Sequence, residues 1–234
     1  MENYIILLTA LLPIVILIYY IYHKDKKSPE PTGQLVKAFL FGVLSVPFSF
    51  CMSIPLRQIG AYPAEATTIS ESISTAFFGA AIPEEIAKLF MLWLFLRKNR
   101  YFDEKMDGIV YAVCVSLGFA ALENIMYLFS NVETFLSVGI ARAIFAVPGH
   151  FCFGILMGYY YSFAKFYPKA PEKNKVLILV APIIVHGLYD SILFIINVTP
   201  AISGVLLIVF LVFCHKMWKY GSQRLEEHLQ RDLC

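Results

Sequence analysis

The chain has 234 residues; 59% are hydrophobic and only 15% are charged, with a formal net charge of +2. The mean hydropathy is +0.67. Soluble domains carry roughly 45–50% apolar and about 25% charged residues, so a soluble globular domain is excluded, and disorder is excluded because disordered chains are poor in apolar side chains. The balance of 19 basic against 17 acidic residues gives no ground for a nucleic-acid partner. What remains is an all-α, polytopic transmembrane helix bundle in a lipid bilayer.

A bilayer core takes about 20 apolar residues per helix. About seven runs qualify, at roughly 4–22, 36–57, 72–96, 108–130, 135–163, 176–197 and 200–218. The first is followed rather than preceded by positive charges and shows no small-residue cleavage site, so it reads as a span and not as a signal peptide. The fifth is longer than one crossing needs and is expected to be tilted or broken. A short turn at Asn197–Pro200 makes the sixth and seventh a tight hairpin. Gly221 to Cys234 is expected to form a short amphipathic helix on the cytoplasmic surface. No internal repeat appears, so 1–234 reads as a single integral membrane domain. Cys51, Cys114, Cys152 and Cys214 lie in apolar runs and suggest no disulfide framework; the tail ending at Cys234 lacks the arrangement of a prenylation box.

Basic residues alternate between loops. Lys24, Lys26, Lys27 and Lys37 follow the first span; Arg97, Lys98, Arg100 and Lys105 follow the third; Lys165, Lys169, Lys173 and Lys175 follow the fifth; Lys216, Lys219, Arg224 and Arg231 follow the seventh. The other loops carry almost nothing basic beyond Arg57. The positive-inside rule then places the N-terminus outside and the C-terminus in the cytoplasm.

Ionisable groups at membrane depth are costly and point to function. Here they concentrate in four spans: Glu84, Glu85 and Lys88 in the third, Glu123 with Asn124 in the fourth, Arg142 and His150 in the fifth, His186 and Asp190 in the sixth. At about 1.5 Å per residue most of them fall at similar heights, and convergence on one wet internal cavity is the least costly arrangement. His186 and Asp190 are four apart and share a helix face, as do Glu84 and Lys88. Pro83, Pro148 and Pro182 sit close to these residues, and each removes a backbone donor and frees a carbonyl one turn earlier. Arg142, near the outer end of its span, reads as a snorkelling side chain or a partner of Glu133.

Carboxylates with histidines activate water in two ways. A glutamate acts as general base while a histidine stabilises the oxyanion, or the set binds a divalent metal that acidifies its water. Either hydrolyses an amide. No His-Glu-x-x-His helix is present, and Asp190 is the one mid-membrane aspartate, which argues against an aspartyl pair.

The motifs Pro83-Glu84-Glu85-Ile86-Ala87-Lys88, Phe119-Ala120-Ala121-Leu122-Glu123-Asn124, His150 after Pro148-Gly149, and His186-Gly187-Leu188-Tyr189-Asp190 resemble those of the PrsW family of intramembrane proteases, relatives of the CAAX-processing and bacteriocin-processing membrane proteases. The resemblance covers about 72–197. It implies a multi-pass protease of the bacterial cell membrane that makes the first cut in a single-span anti-sigma factor during a stress response. It also implies a catalytic set of Glu84, Glu85, Glu123, His150, His186 and Asp190, supported by Lys88 and Asn124. A divalent metal such as zinc would take its ligands from Glu85, Glu123, His150 and His186. The wider CAAX-protease group has a histidine four residues after the phenylalanine of its second motif, where this chain has Glu123; the exchange adds a third carboxylate. Two other readings of the same residues are a non-catalytic membrane scaffold and a proton-coupled carrier.

Overall fold

The computed structural model describes residues 2–26, 28–167 and 172–231. Lys27 and Lys169 of the expected cytoplasmic loops, and the terminal residues up to Cys234, lie outside them. The described chain is helical throughout: α1 (Glu2–Lys24), α2 (Thr32–Gln58), α3 (Ile69–Ser74), a π-helical turn (Thr75–Ala81), α4 (Ile82–Leu96), α5 (Lys105–Ser130), α6 (Phe135–Ala141), a second π-helical turn (Arg142–Ala146), α7 (Val147–Phe166), α8 (Lys173–Val198) and α9 (Ser203–Arg231). Backbone amides cannot bond to water inside a bilayer, so helices that satisfy them internally are the form this composition dictates.

Six stretches among the described residues are long and apolar enough to cross a membrane: Asn3–Lys24, Thr32–Gln58, Lys105–Ser130, Val132–Phe166, Lys173–Val198 and Pro200–Arg231. The expected third span, 72–96, is not among them. It runs as one continuous helical rod from 69 to 96, but Glu84, Glu85 and Lys88 in its middle leave it without an uninterrupted apolar stretch. The fifth span is interrupted, as its length suggested, by the π turn at Arg142–Ala146. A 3₁₀ turn at Pro200–Ile202 joins α8 to α9. The tail does not form a separate surface helix. α9 continues unbroken to Arg231, because its C-terminal half finds partners: His228 stacks on Tyr159 with ring centroids 4.4 Å apart, the Tyr159 hydroxyl donates to Glu227 at 2.6 Å, and Lys24 pairs with Glu226 at 2.7 Å.

α5 is the axis of the bundle, with 78% of its most apolar window buried. It packs most extensively against α7 and α2, and small residues permit the approach. A Cβ on Gly42 of α2 would overlap the carbonyl oxygen of Val115, and one on Gly158 of α7 would overlap that of Gly108. Glu123 and Asn124 therefore ride on the most deeply buried of the six apolar helices.

Candidate active site

Four helices deliver the ionisable residues to one place. Glu84 and Glu85 lie in the first turn of α4, where Pro83 follows the first π turn. His150 lies in the first turn of α7, where Pro148 follows the second. A proline lacks the N–H that would bond the carbonyl four residues earlier; those carbonyls belong to Gly79 and Ile144, each within a π turn. The π turns thus absorb the missing bonds and re-aim the side chains that follow, a recurrent use of such turns at functional sites.

Glu85 is fully buried. Its Oε1 accepts from Lys88 Nζ at 2.8 Å and meets His186 Nδ1 at 2.8 Å. The other ring nitrogen of His186 faces Asp190 Oδ2 at 3.3 Å and Glu84 Oε2 at 3.9 Å. With carboxylates at both nitrogens the ring is placed to donate twice, and Phe153 stacks on it at 4.5 Å between centroids. Lys88, 1% exposed, also lies 3.5 Å from Glu84 Oε2, 3.1 Å from His150 Nδ1 and 4.3 Å above the Phe119 ring. An ammonium has no lone pair, so Lys88 donates to Nδ1 and His150 donates from Nε2 to Glu123 Oε2, 2.9 Å away.

Arg142 corrects the expectation from sequence. It neither snorkels nor pairs with Glu133: its Nη2 donates to Glu123 Oε2 at 2.6 Å and its Nε to Asn124 Oδ1 at 2.6 Å. The reason is the second π turn. Residues eight apart in an unbroken α-helix are rotated by about 80°, and the extra residue of a π turn reduces this to about 20°. Arg142 and His150 consequently reach the same carboxylate oxygen. A rule that treats every ionisable side chain in a span as functional by default would have found it. Tyr127, 4.1 Å beneath the Arg142 guanidinium, shares a helix face with Glu123.

Two cavities, of about 460 Å³ and about 450 Å³, flank the cluster. Glu84, Glu123, Tyr127, Ala80 and Phe194 line both; His150, His186 and Asp190 line the second. Glu85, Lys88 and Asn124 line neither. The expected residues thus divide into five that face open space and three that hold them. Each glutamate has a buried Oε2 without a hydrogen bond; Glu84 differs from its neighbour in lining both cavities, whereas Glu85 is held through Oε1 by Lys88 and His186.

One ligand atom each from Glu84, Glu123 and His150 lies within 4.8 Å of the others. Three protein donors with one position left for water is the pattern of catalytic metal centres, and the unbonded Glu84 oxygen supplies a free lone pair. The converging set contains Glu84 in place of Glu85 and His186, which are bonded to one another. The set fits a divalent ion on donor type and spacing, with one condition. His150 ligates through Nε2 only when its proton is on Nδ1, the nitrogen that Lys88 now faces.

The geometry gathers carboxylates and histidines from four helices beside two cavities, and comparison with known proteins gives the chain a lineage. Residues 30–215 match the family described as PrsW family intramembrane metalloprotease. The chain belongs to the PrsW family. It is 35% identical over 225 residues to Protease PrsW of Clostridioides difficile, covering 95% of this chain and 90% of that one. It is 40% identical over 182 residues to Protease PrsW of Geobacillus kaustophilus, covering 77% and 76%. With Protease PrsW of Bacillus subtilis it shares 33% over 222 residues, covering 94% and 93%. No solved structure matches the chain. PrsW membership and the six apolar helices make this chain a multi-pass bacterial membrane protease, and set aside the scaffold and carrier readings.

Proposed function

We propose that the chain is a metal-assisted endopeptidase that cuts a single-span membrane protein, an anti-sigma factor by the resemblance, on its extracytoplasmic side. The observation that carries this reading is the convergence of Glu84, Glu123 and His150 within 4.8 Å at the junction of two cavities, with the Glu84 oxygen unbonded. These three residues would hold the ion, which supplies an acidified water and polarises the scissile carbonyl.

The chain's own residues do the rest. His186, clamped between Glu85 at Nδ1 and Asp190 at Nε2, lines the second cavity, and its Nε2–H would be shared between Asp190 and the oxyanion that forms when water oxygen attacks the carbonyl carbon. As the C–N bond breaks, the proton released by the water passes by way of Asp190 and His186 to the leaving amine, so protons balance. Lys88 and Glu85 fix the two histidines from the side away from the cavities. The basic loops, taken as cytoplasmic, put Glu123 in the outer half of the membrane, consistent with an extracytoplasmic cut.

The test uses the purified full-length protein in vesicles with a single-span peptide that retains its extracytoplasmic juxtamembrane segment. Cleavage is expected to disappear on chelation, to return with zinc, and to be lost in Glu84→Gln at unchanged expression. Full activity after chelation, with no metal by elemental analysis, overturns the metal assignment. Full activity of Glu84→Gln overturns the site.

A further inference from the structure

Arg142 is a charged side chain inside a membrane-spanning stretch, 13% exposed, where an unpaired cation is costly. We propose that Arg142 is the positioning residue of Glu123: it pins Oε2 of that carboxylate against His150 and reserves Oε1 for the reacting centre. The proposal rests on the protease reading above for its functional meaning, but its geometry stands on separate contacts.

Both Arg142 Nη2 and His150 Nε2 point at the same oxygen, Glu123 Oε2, at 2.6 and 2.9 Å. The two donors fix the rotation of the carboxylate about its last bond, Arg142 alone continuing to hold it once His150 gives its Nε2 to an ion, and they leave Oε1, on a residue that lines both cavities, without a hydrogen-bond partner among the described residues. Arg142 is itself fixed. Its Nε donates to Asn124 Oδ1 at 2.6 Å, and the amide of Asn124 is locked in turn because its Nδ2 donates to the Ala10 carbonyl of α1 at 3.1 Å. An amide turned the other way would break both bonds. The Tyr127 ring lies against the guanidinium at 4.1 Å. A line of support therefore runs from the α1 backbone through Asn124 and Arg142 to Glu123, and neither Asn124 nor the α1 carbonyl touches a cavity.

The planar fork of arginine suits this task. One guanidinium bonds two acceptors on consecutive residues of α5, whereas a lysine ammonium keeps the charge but lacks the fixed fork. A simple counter-ion would be replaced by lysine without loss; a positioning residue would be replaced only in part.

The full-length protein in vesicles, assayed with a single-span peptide, tests this. Arg142→Gln should lower kcat about 10²-fold, the scale of a small misplacement, with KM changed less than about twofold. Arg142→Lys should recover to within about tenfold of the wild type. Unchanged kcat in Arg142→Gln overturns the proposal, as does a raised KM at intact kcat, which would make Arg142 a substrate contact. A Glu84→Gln control run alongside separates the two readings: if the wild type shows no Glu84-dependent cleavage, the protease assignment falls. The proposal is then decided by melting temperatures of Arg142→Met, Glu123→Gln and the double variant. A double variant that melts no lower than the worse single variant supports the pairing, and additive shifts overturn it.

Discussion

α5 and α8 both carry residues of the cluster, yet they are held in different ways. α5 is buried along 78% of its most apolar window and α8 along 28%. α5 meets α2 and α7 backbone to backbone through Gly42 and Gly158, while α8 borders the second cavity along Tyr189, Leu193 and Asn197. One wall of the site is a packed framework that fixes Glu123 and His150. The other is thinly covered and borders open space beside His186. The difference separates residues held within the framework from residues that line the cavities, and the same division appears at the scale of adjacent residues in Glu84 and Glu85.

The largest effect is expected from breaking the framework wall. Gly158→Val places a side chain against the Gly108 carbonyl and the Ile109 backbone. Neither is a flexible side-chain end, so the helices must separate, at a cost of about 3 kcal/mol or more. Folded yield and thermal melting in detergent should both fall. Gly149→Ala, whose added carbon would rest 3.6 Å from Phe153 and Tyr189, is in ordinary contact and should melt close to the wild type. Equal loss in both variants would mean that α5 and α7 are not the framework.

Next comes the carboxylate pair. Glu85→Gln leaves the ammonium of Lys88, buried at 1% exposure, without its 2.8 Å partner; stripping one member from a buried ion pair costs about 3–5 kcal/mol. Glu84→Gln removes only the more distant partner of Lys88, 3.5 Å away, and should cost clearly less stability than Glu85→Gln while abolishing cleavage. Melting and cleavage measured on both variants check the contrast. A Glu84 variant less stable than the Glu85 variant would reverse the assignment of roles.

Much of this was readable from residue order. Apolar runs placed five spanning helices to within a few residues, for instance 108–130 against Lys105–Ser130 and 176–197 against Lys173–Val198. The spacing of His186 and Asp190 gave a shared face that the structure uses. What escaped was local departure from α-helical periodicity. The two π turns shift every following side chain by about one residue's rotation, so depth and facing counted along an ideal helix misplaced Arg142. The split between Glu84 and Glu85 also escaped, because it depends on which carboxylate meets a histidine from α8, 101 residues later in the chain.

The smallest predicted effect lies at the start of the helical rod that carries Glu84. Thr68 caps α3, accepting from Glu71 N at 3.2 Å. Glu71, one residue ahead of the expected span, returns the contact: its Oε2 accepts from Thr67 N and Thr67 Oγ1, both at 2.8 Å, and from Thr68 N at 3.1 Å. These bonds favour the charged carboxylate and lower its pKa below the ordinary 4.5, the Thr67 backbone bond contributing most. A carboxylate with a depressed folded-state pKa contributes stability that is fully present above its unfolded value and is lost as pH falls through the folded one. The cap should therefore hold at neutral pH and weaken only below about 4.5. Thr68→Ala should cost about 1 kcal/mol of local stability, seen as faster amide exchange in Ile69–Ser74, and Glu71→Gln should remove the acid dependence of that exchange. Because this end of the rod lies more than two helical turns before Glu84, cleavage rates at neutral pH should stay within about twofold in both variants. A larger loss would show that the cap, and not the π turn between them, sets the position of the reactive carboxylate.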